Sequence, residues 1–259
     1  MDVLYFCANY YTLRASAHIK SISRSIEMRD FYGKKKAITF SYDDGVTQDI
    51  RLIELFNKYG LKCTFNLNSD LLGKPGQLLR EGVNVRHDKV APDRVRGVYE
   101  GHEVATHSLT HPYLTRLSDD DVAREVEEDR IKLSEIVGYE VVGHAYPMGD
   151  CDDRVAGILR DRTGVKYART VVSTHKFDLQ TENLHLFDPT VYHHREMDEM
   201  FRLGEEFLSL KTDEPKLFYI WGHAYEFDIH DDWKRFEEFL EMISGRDDIF
   251  YGTNKDCLI

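Results

Sequence analysis

The chain is 259 residues long, 42% hydrophobic, 31% charged and 12% aromatic, a balance that supports a buried core and excludes the disordered class. Its formal charge of −12 repels phosphate backbones, and with no basic cluster to offset it the expectation is no nucleic-acid partner. The cysteines at 7, 63, 151 and 257 form no C-x-x-C pair, against a zinc knuckle or disulfide framework, and no stretch approaches the apolar length of a membrane span.

Residues 1–33 show neither clean periodicity nor turn punctuation and read as an N-terminal extension, followed by one unit over 34–259. Polar and charged residues interrupt every short apolar run in the first 30 positions. The order of features that marks a signal peptide is missing, so the expected location is the cytoplasm.

AITFSY (37–42) reads as a buried strand, and 46–58 has helical period with Ile50, Ile53, Leu55 and Phe56 facing a sheet before Tyr59-Gly60 ends it. LKCTFNLN (61–68) is the next strand. A loop region punctuated by Gly73, Pro75, Gly76, Gly82 and Pro92 leads into the strand HEVATHS (102–108). Ser118 caps a charged helix whose first-turn acids suit the helix dipole. VVGHAYP (141–147), a helix over CDDRVAGILRDR, VKYARTV (165–171), a helix over 196–210, KLFYIWGH (216–223), a helix over Trp233–Ile243 and DIFYGT (248–253) complete the pattern. Strict alternation of strand and helix predicts a parallel sheet in an α/β fold. No G-x-G-x-x-G follows the first strand, so a closed barrel is preferred over a doubly wound sheet.

Barrel chemistry sits at the carboxyl ends of strands, and the polar residues there form a set. The first strand ends in Asp43-Asp44-Gly45. A solvated turn would explain that pair, since Asp-Gly is ordinary turn chemistry. His107 and His111 are four apart and can converge on one ion within a single helical turn. This is not the zincin motif: Ser108 stands where a glutamate would follow the first histidine, and Pro112 discourages a long helix. Two histidines and one carboxylate leave positions open for water, which suits zinc hydrolysis or non-haem iron chemistry. With Asp44 as third ligand, Asp43 is free to act as general base toward a water whose pKa the ion lowers toward about 7. His223 is the candidate acid for a leaving amine, and a satisfied histidine at a strand end is its plain alternative.

These residues resemble the polysaccharide deacetylase family, carbohydrate esterase family 4 or NodB homology domain, over about residues 35–254. The family's T-F-D-D-G motif reads here as Ser41-Tyr42-Asp43-Asp44-Gly45, and its H-[S/T]-x-x-H-P motif is complete as His107-Ser108-Leu109-Thr110-His111-Pro112. The resemblance implies a single-domain distorted (β/α)7 barrel that removes acetyl groups from sugars. It implies a divalent metal, Zn2+ before Co2+, Ni2+ or Mn2+, on Asp44, His107 and His111, with Asp43 as base. Trp221-Gly222-His223 matches the late L-x-H-type motif whose histidine protonates the leaving amine, and WGHAYEFD resembles one subgroup's form, in which Tyr225 and Glu226 line the substrate pocket.

The third motif departs. Where many members carry R-P-P-Y-G, this chain has Ala145-Tyr146-Pro147-Met148-Gly149, with Ala145 at the position of the arginine that holds the catalytic aspartate. The backbone N–H of Tyr146 can still serve the oxyanion as that loop does in the family, because a backbone donor does not depend on the side chain. Arg169 is the candidate to replace the missing cation and orient Asp43, with a plain surface arginine as the alternative. The fourth motif has no clean counterpart, which leaves Asp178 and Asp188 as candidates to tune His223.

The expected function is a metal-dependent hydrolase of N-acetylated amino sugars in oligo- or polysaccharides, with no nucleic-acid or membrane partner. An O-acetyl xylan esterase, a small cyclic-amide hydrolase and a silent metal- or carbohydrate-binding relative stand as alternatives. Iron and oxygen chemistry is disfavoured because the His-x-Asp spacing is missing.

Overall fold

The structure, a computed structural model, describes residues 30–259, so the extension expected at 1–33 lies almost wholly outside the described residues. Phe31, within that segment, is buried with Ala37, Tyr167 and Tyr219. No helix among the described residues is long and apolar enough to cross a membrane.

One eight-stranded parallel sheet organises the chain. Its strands are β1 (Lys36–Asp43), β2 (Thr64–Leu67), β5 (Glu103–Thr106), β6 (Gly143–Ala145), β7 (Tyr167–Arg169), β8 (Val191–Tyr192), β9 (Lys216–His223) and β10 (Ile249–Tyr251). They run in the order β7-β6-β5-β2-β1-β9-β8, with β10 also pairing β1. Every residue of the central β1 is buried, as a strand covered on both faces requires. The expected barrel takes an open form. β7 and β8 are the ends of the curled sheet, and irregular chain between them meets β7 through the bridge Arg169↔Phe187.

Around the sheet lie α1 (Asp49–Lys58), α2 (Pro92–Val98), α3 (Asp119–Val137), α4 (Asp153–Arg162), α5 (Met197–Ser209), α6 (Phe227–His230), α7 (Trp233–Ile243) and α8 (Asn254–Leu258). Ser118 caps α3 by accepting from the Asp121 N–H, and Gly138 ends it in the left-handed region. Asp152 caps α4 in the same way as Ser118. Phe40, Tyr42, Phe56, Phe227 and Phe236 pack edge to face and tilted between β1, α1, α6 and α7. Truncating Phe236, fully buried there, to Ala would cost about 3–5 kcal/mol.

Two elements differ from the expectation. β8 is a strand of two residues, too short to carry a period. The region expected as loop holds an antiparallel hairpin, β3 (Gln77–Arg80) and β4 (Val83–Arg86). Its residues are mostly exposed, so the alternation that betrays a half-buried strand is missing. Glu81 and Gly82 at its turn both have positive φ, 50° and 80°, the requirement of a type I′ turn.

Register sets the future site. On β1, Asp43 pairs with Asn66 of β2 on one side and with His223 of β9 on the other. Ala145 of β6 pairs with Arg169 of β7.

Candidate active site

Asp43 sits at the buried end of β1, and each of its oxygens is held from a neighbouring strand. Oδ1 accepts from Asn66 Nδ2 at 2.8 Å, and Oδ2 accepts from Arg169 Nη2 at 2.5 Å. Arg169, 1% exposed, also donates Nη1 to its neighbour's carbonyl at Thr170, 2.9 Å away, and its guanidinium lies 4.4 Å over the Trp221 ring. Burial works against ionising Asp43, but the Arg169 charge, aided by His107 and His223, holds its carboxyl below the usual value. The arginine lies one strand over from Ala145, at the same level of the sheet.

Asp44 continues the strand into a turn with φ of 83°, and Ser108 and His111 also have positive φ, 63° and 61°. Such conformations cost about 1–3 kcal/mol each and persist only where surroundings over-determine them. Those surroundings are visible. Asn68 Nδ2 donates to the carbonyls of His107 (2.5 Å) and Ser108 (2.9 Å), and the Asp129 carboxylate of α3 accepts from Thr106 Oγ1 (2.5 Å) and the His107 N–H (3.2 Å).

Ligand atoms of Asp44, His107 and His111 all lie within 4.8 Å of one another. His107 donates its Nδ1–H to the Ala145 carbonyl at 2.7 Å, which leaves Nε2 as a lone pair facing the cluster. Burial lowers the pKa of His107 to about 4 and depresses His111 as well, so both imidazoles are neutral, the form that binds metal. These residues fit a divalent ion. Asp44 also has cationic and polar company: Lys89 Nζ donates to its carbonyl at 2.6 Å and lies 3.2 Å from Oδ1, and His87 Nε2 lies 3.1 Å from Oδ2. Against the cost of burial, Lys89 first and then His87 hold the Asp44 carboxyl well below its usual value.

On the other flank, His223 ends β9 with Nε2 4.0 Å from Asp43 Oδ2. Its Nδ1 donates to Glu226 Oε1 at 3.0 Å, its backbone N–H to Oε2 at 3.0 Å, and the Tyr192 hydroxyl also donates to Glu226. Burial disfavours the imidazolium, yet the Glu226 charge, with Asp44 and Asp43 beyond, raises its pKa to about 9, while Glu226 is lowered to about 2. Gly222 is obligatory in this corner, because a Cβ there would meet the buried His193 ring at 1.8 Å.

Asp43, Asp44, His107, His111, Tyr146, His223 and Tyr225 all line one cleft of about 770 Å³. Three expectations need correction. Glu226 is not on the cleft wall: it is the third residue after His223 in a single 3-10 turn, which folds its carboxylate back beneath that histidine. The Tyr146 N–H is committed to the Arg169 carbonyl at 3.1 Å, so it is not a free oxyanion donor. Asp178 pairs with Lys216 and Asp188 accepts from Thr170, so neither serves His223; Glu226 does. Sequence reasoning missed His87 and Lys89, which follow the unforeseen hairpin, and Asn66, whose only signal is its place in the strand beside the aspartate pair.

Comparison with known proteins identifies the family. Residues 32–168, more than half of the chain, match the family described as polysaccharide deacetylase. Among curated proteins, the peptidoglycan-N-acetylglucosamine deacetylase PgdA of Listeria monocytogenes is 26% identical over 124 residues, covering 47% of this chain and 23% of that protein. Chitin deacetylase 1 of Cryptococcus neoformans is 28% identical over 120 residues, covering 46% and 22%. The matched stretch thus spans about a quarter of the length of these two relatives. Among solved structures, a putative polysaccharide deacetylase from Mycobacterium smegmatis superposes with a TM-score of 0.62 at 16% identity over 86% of this chain and 88% of that one, which shows a shared fold. With that family match over more than half of its length, the chain belongs to the polysaccharide deacetylase family.

Proposed function

We propose that this chain is a metal-dependent hydrolase that removes acetyl from an N-acetylated amino sugar in an oligo- or polysaccharide. One observation carries the reading. An ionised carboxylate clamped by a buried arginine, Asp43, shares a cleft floor with a three-ligand cluster and with a histidine held protonated by its own glutamate. The relatives named for deacetylating peptidoglycan and chitin support the substrate class.

Asp44, His107 and His111 would hold the cation, Zn2+ in our reading, which when bound supplies Lewis acidity toward the acetyl oxygen and acidifies a water. Asp43 accepts the proton of the attacking water, and Arg169 keeps its carboxylate ionised and fixed in aim. As the C–N bond breaks, His223 Nε2 hands its proton to the departing amine while Glu226 holds Nδ1. Amides need that protonation far more than esters do, so the His223–Glu226 pair favours an N-acetyl over an O-acetyl substrate. Tyr192 and Tyr225 line the cleft, where a sugar can pack.

The test is acetate release from N-acetylated chitooligosaccharides and O-acetylated xylo-oligosaccharides, by protein stripped with chelator and reloaded with zinc. Release from the N-acetyl set is expected, lost on stripping and in Asp43→Asn. Silence on both sets from protein shown to hold metal would overturn the reading.

A further inference from the structure

Away from the cleft floor, the tip of the β3–β4 hairpin gathers a second set of side chains of metal-ligating type. Glu81, in the turn, presents its two carboxylate oxygens to histidines from two other segments. His194, just past β8, has Nε2 3.1 Å from Oε1, and His230, the last residue of α6, has Nε2 2.9 Å from Oε2. The two imidazoles stack nearly parallel, 9° apart with centroids separated by 5.5 Å. All three ligand atoms lie within 4.8 Å of one another. None of these residues belongs to the set around Asp43 and Asp44.

A tetrahedral ion with bonds of about 2.0–2.2 Å places its ligand atoms about 3.3–3.6 Å apart, so ligand atoms lying within 4.8 Å of one another would close by up to about 1.5 Å to hold one. Each imidazole would then carry its proton on Nδ1 and offer the Nε2 lone pair. The His194 side chain is 6% exposed and packs beside the Tyr192 ring, so one ligand is preset. Glu81 and His230, 44% and 51% exposed, leave the remaining position open to water. Two imidazoles and one carboxylate suit zinc or cobalt better than magnesium or calcium. The hairpin is otherwise lightly packed. Leu79 and Val83 face solvent, Val85 alone of its residues is fully buried, and exposed ion pairs supply about 0–1 kcal/mol.

We propose that Glu81, His194 and His230 form a second divalent transition-metal site, separate from the cleft, that fastens the hairpin tip to the rim of the sheet. The hairpin places Leu78 and Arg80 on the cleft wall, and the chain leaving it carries His87 and Lys89 onto Asp44. An ion at the tip therefore stiffens one wall of the cleft from outside. The inference does not rest on the deacetylase reading.

The test uses the full chain carrying His107→Ala and His111→Ala, stripped with chelator and titrated with Co2+ by visible absorption. One bound equivalent, lost when His230→Ala is added, is expected. No cobalt bound, or an equivalent that survives His230→Ala, overturns the proposal, and either result leaves the cleft site standing. Should the cleft substitutions unfold the chain by circular dichroism, the wild type is titrated instead. Two equivalents that fall to one in both His230→Ala and Glu81→Gln support the site, and a stoichiometry unchanged in both overturns it. Amide hydrogen exchange over residues 77–86 reads the fastening itself. Slowing by Zn2+ in the wild type and not in His230→Ala is expected, and equal exchange with and without Zn2+ in the wild type overturns that role.

Discussion

Two regions meet at Asp44 and are built on opposite terms. The cleft floor, from the ends of β1, β2 and β9 and the start of the loop 107–112, is mostly buried, and cross-strand partners fix Asp43 on both oxygens. The hairpin at 77–86 is largely exposed and reaches Asp44 through two residues that follow it closely, His87 and Lys89. Chemistry needs reacting groups held to fractions of an ångström, which sheet register and dense packing provide. A wall that contacts substrate can tolerate a looser element. Substitutions in the floor should therefore act on kcat, and those in the hairpin on KM.

Asp43→Asn should have the largest effect. Loss of the general base should lower kcat about 10²–10⁴-fold with cobalt stoichiometry at the cleft unchanged, and near-normal turnover would sink the assignment. Next comes Arg169→Met, which strands a buried carboxylate. A loss of about 3–5 kcal/mol in urea denaturation at neutral pH is expected, together with a fall in kcat. Arg169 holds the folded-state pKa of Asp43 below its unfolded value, so this stabilisation is present above the unfolded pKa and lost as pH falls through the folded one. The gap between wild type and variant should accordingly close on acidification. A gap independent of pH would mean that Arg169 matters through packing on Trp221 instead.

A smaller, directional effect belongs to Glu226→Gln. The carboxylate raises His223 to about 9 against the cost of burial, and the acid form is lost as pH rises through that value. Removing the charge should move the alkaline limb of kcat/KM to lower pH, and an unmoved limb would place the acid elsewhere. Smallest of all is Arg80→Ala on the exposed hairpin. It should raise KM with kcat nearly unchanged and shift stability by no more than about 0.5 kcal/mol. A matching drop in kcat would erase the contrast between the two regions.

Much of the floor is legible in the residues because its signals are local. Asp43-Asp44-Gly45 ends a run that reads as a buried strand, His107 and His111 fall within one turn of chain, and Ser118 marks a helix start by its own hydrogen bonding. The hairpin escapes because exposure removes the alternation that would reveal it, and β8 because two residues have no period. Arg169 is the instructive case between these extremes. The sequence singles it out yet leaves it equally a surface arginine.

By itself, then, the sequence determined the alternating α/β plan, the strand-end set Asp43, Asp44, His107, His111 and His223, and the family they resemble, since each signal lies within a few consecutive residues. Only the tertiary structure decided that Arg169 lies beside Ala145, that the Tyr146 N–H is taken by the sheet, and that Lys89 reaches Asp44. The reason is register. Which side chains meet across a curled parallel sheet depends on how strands separated by tens of residues slide against one another, and packing of the whole core sets that slide.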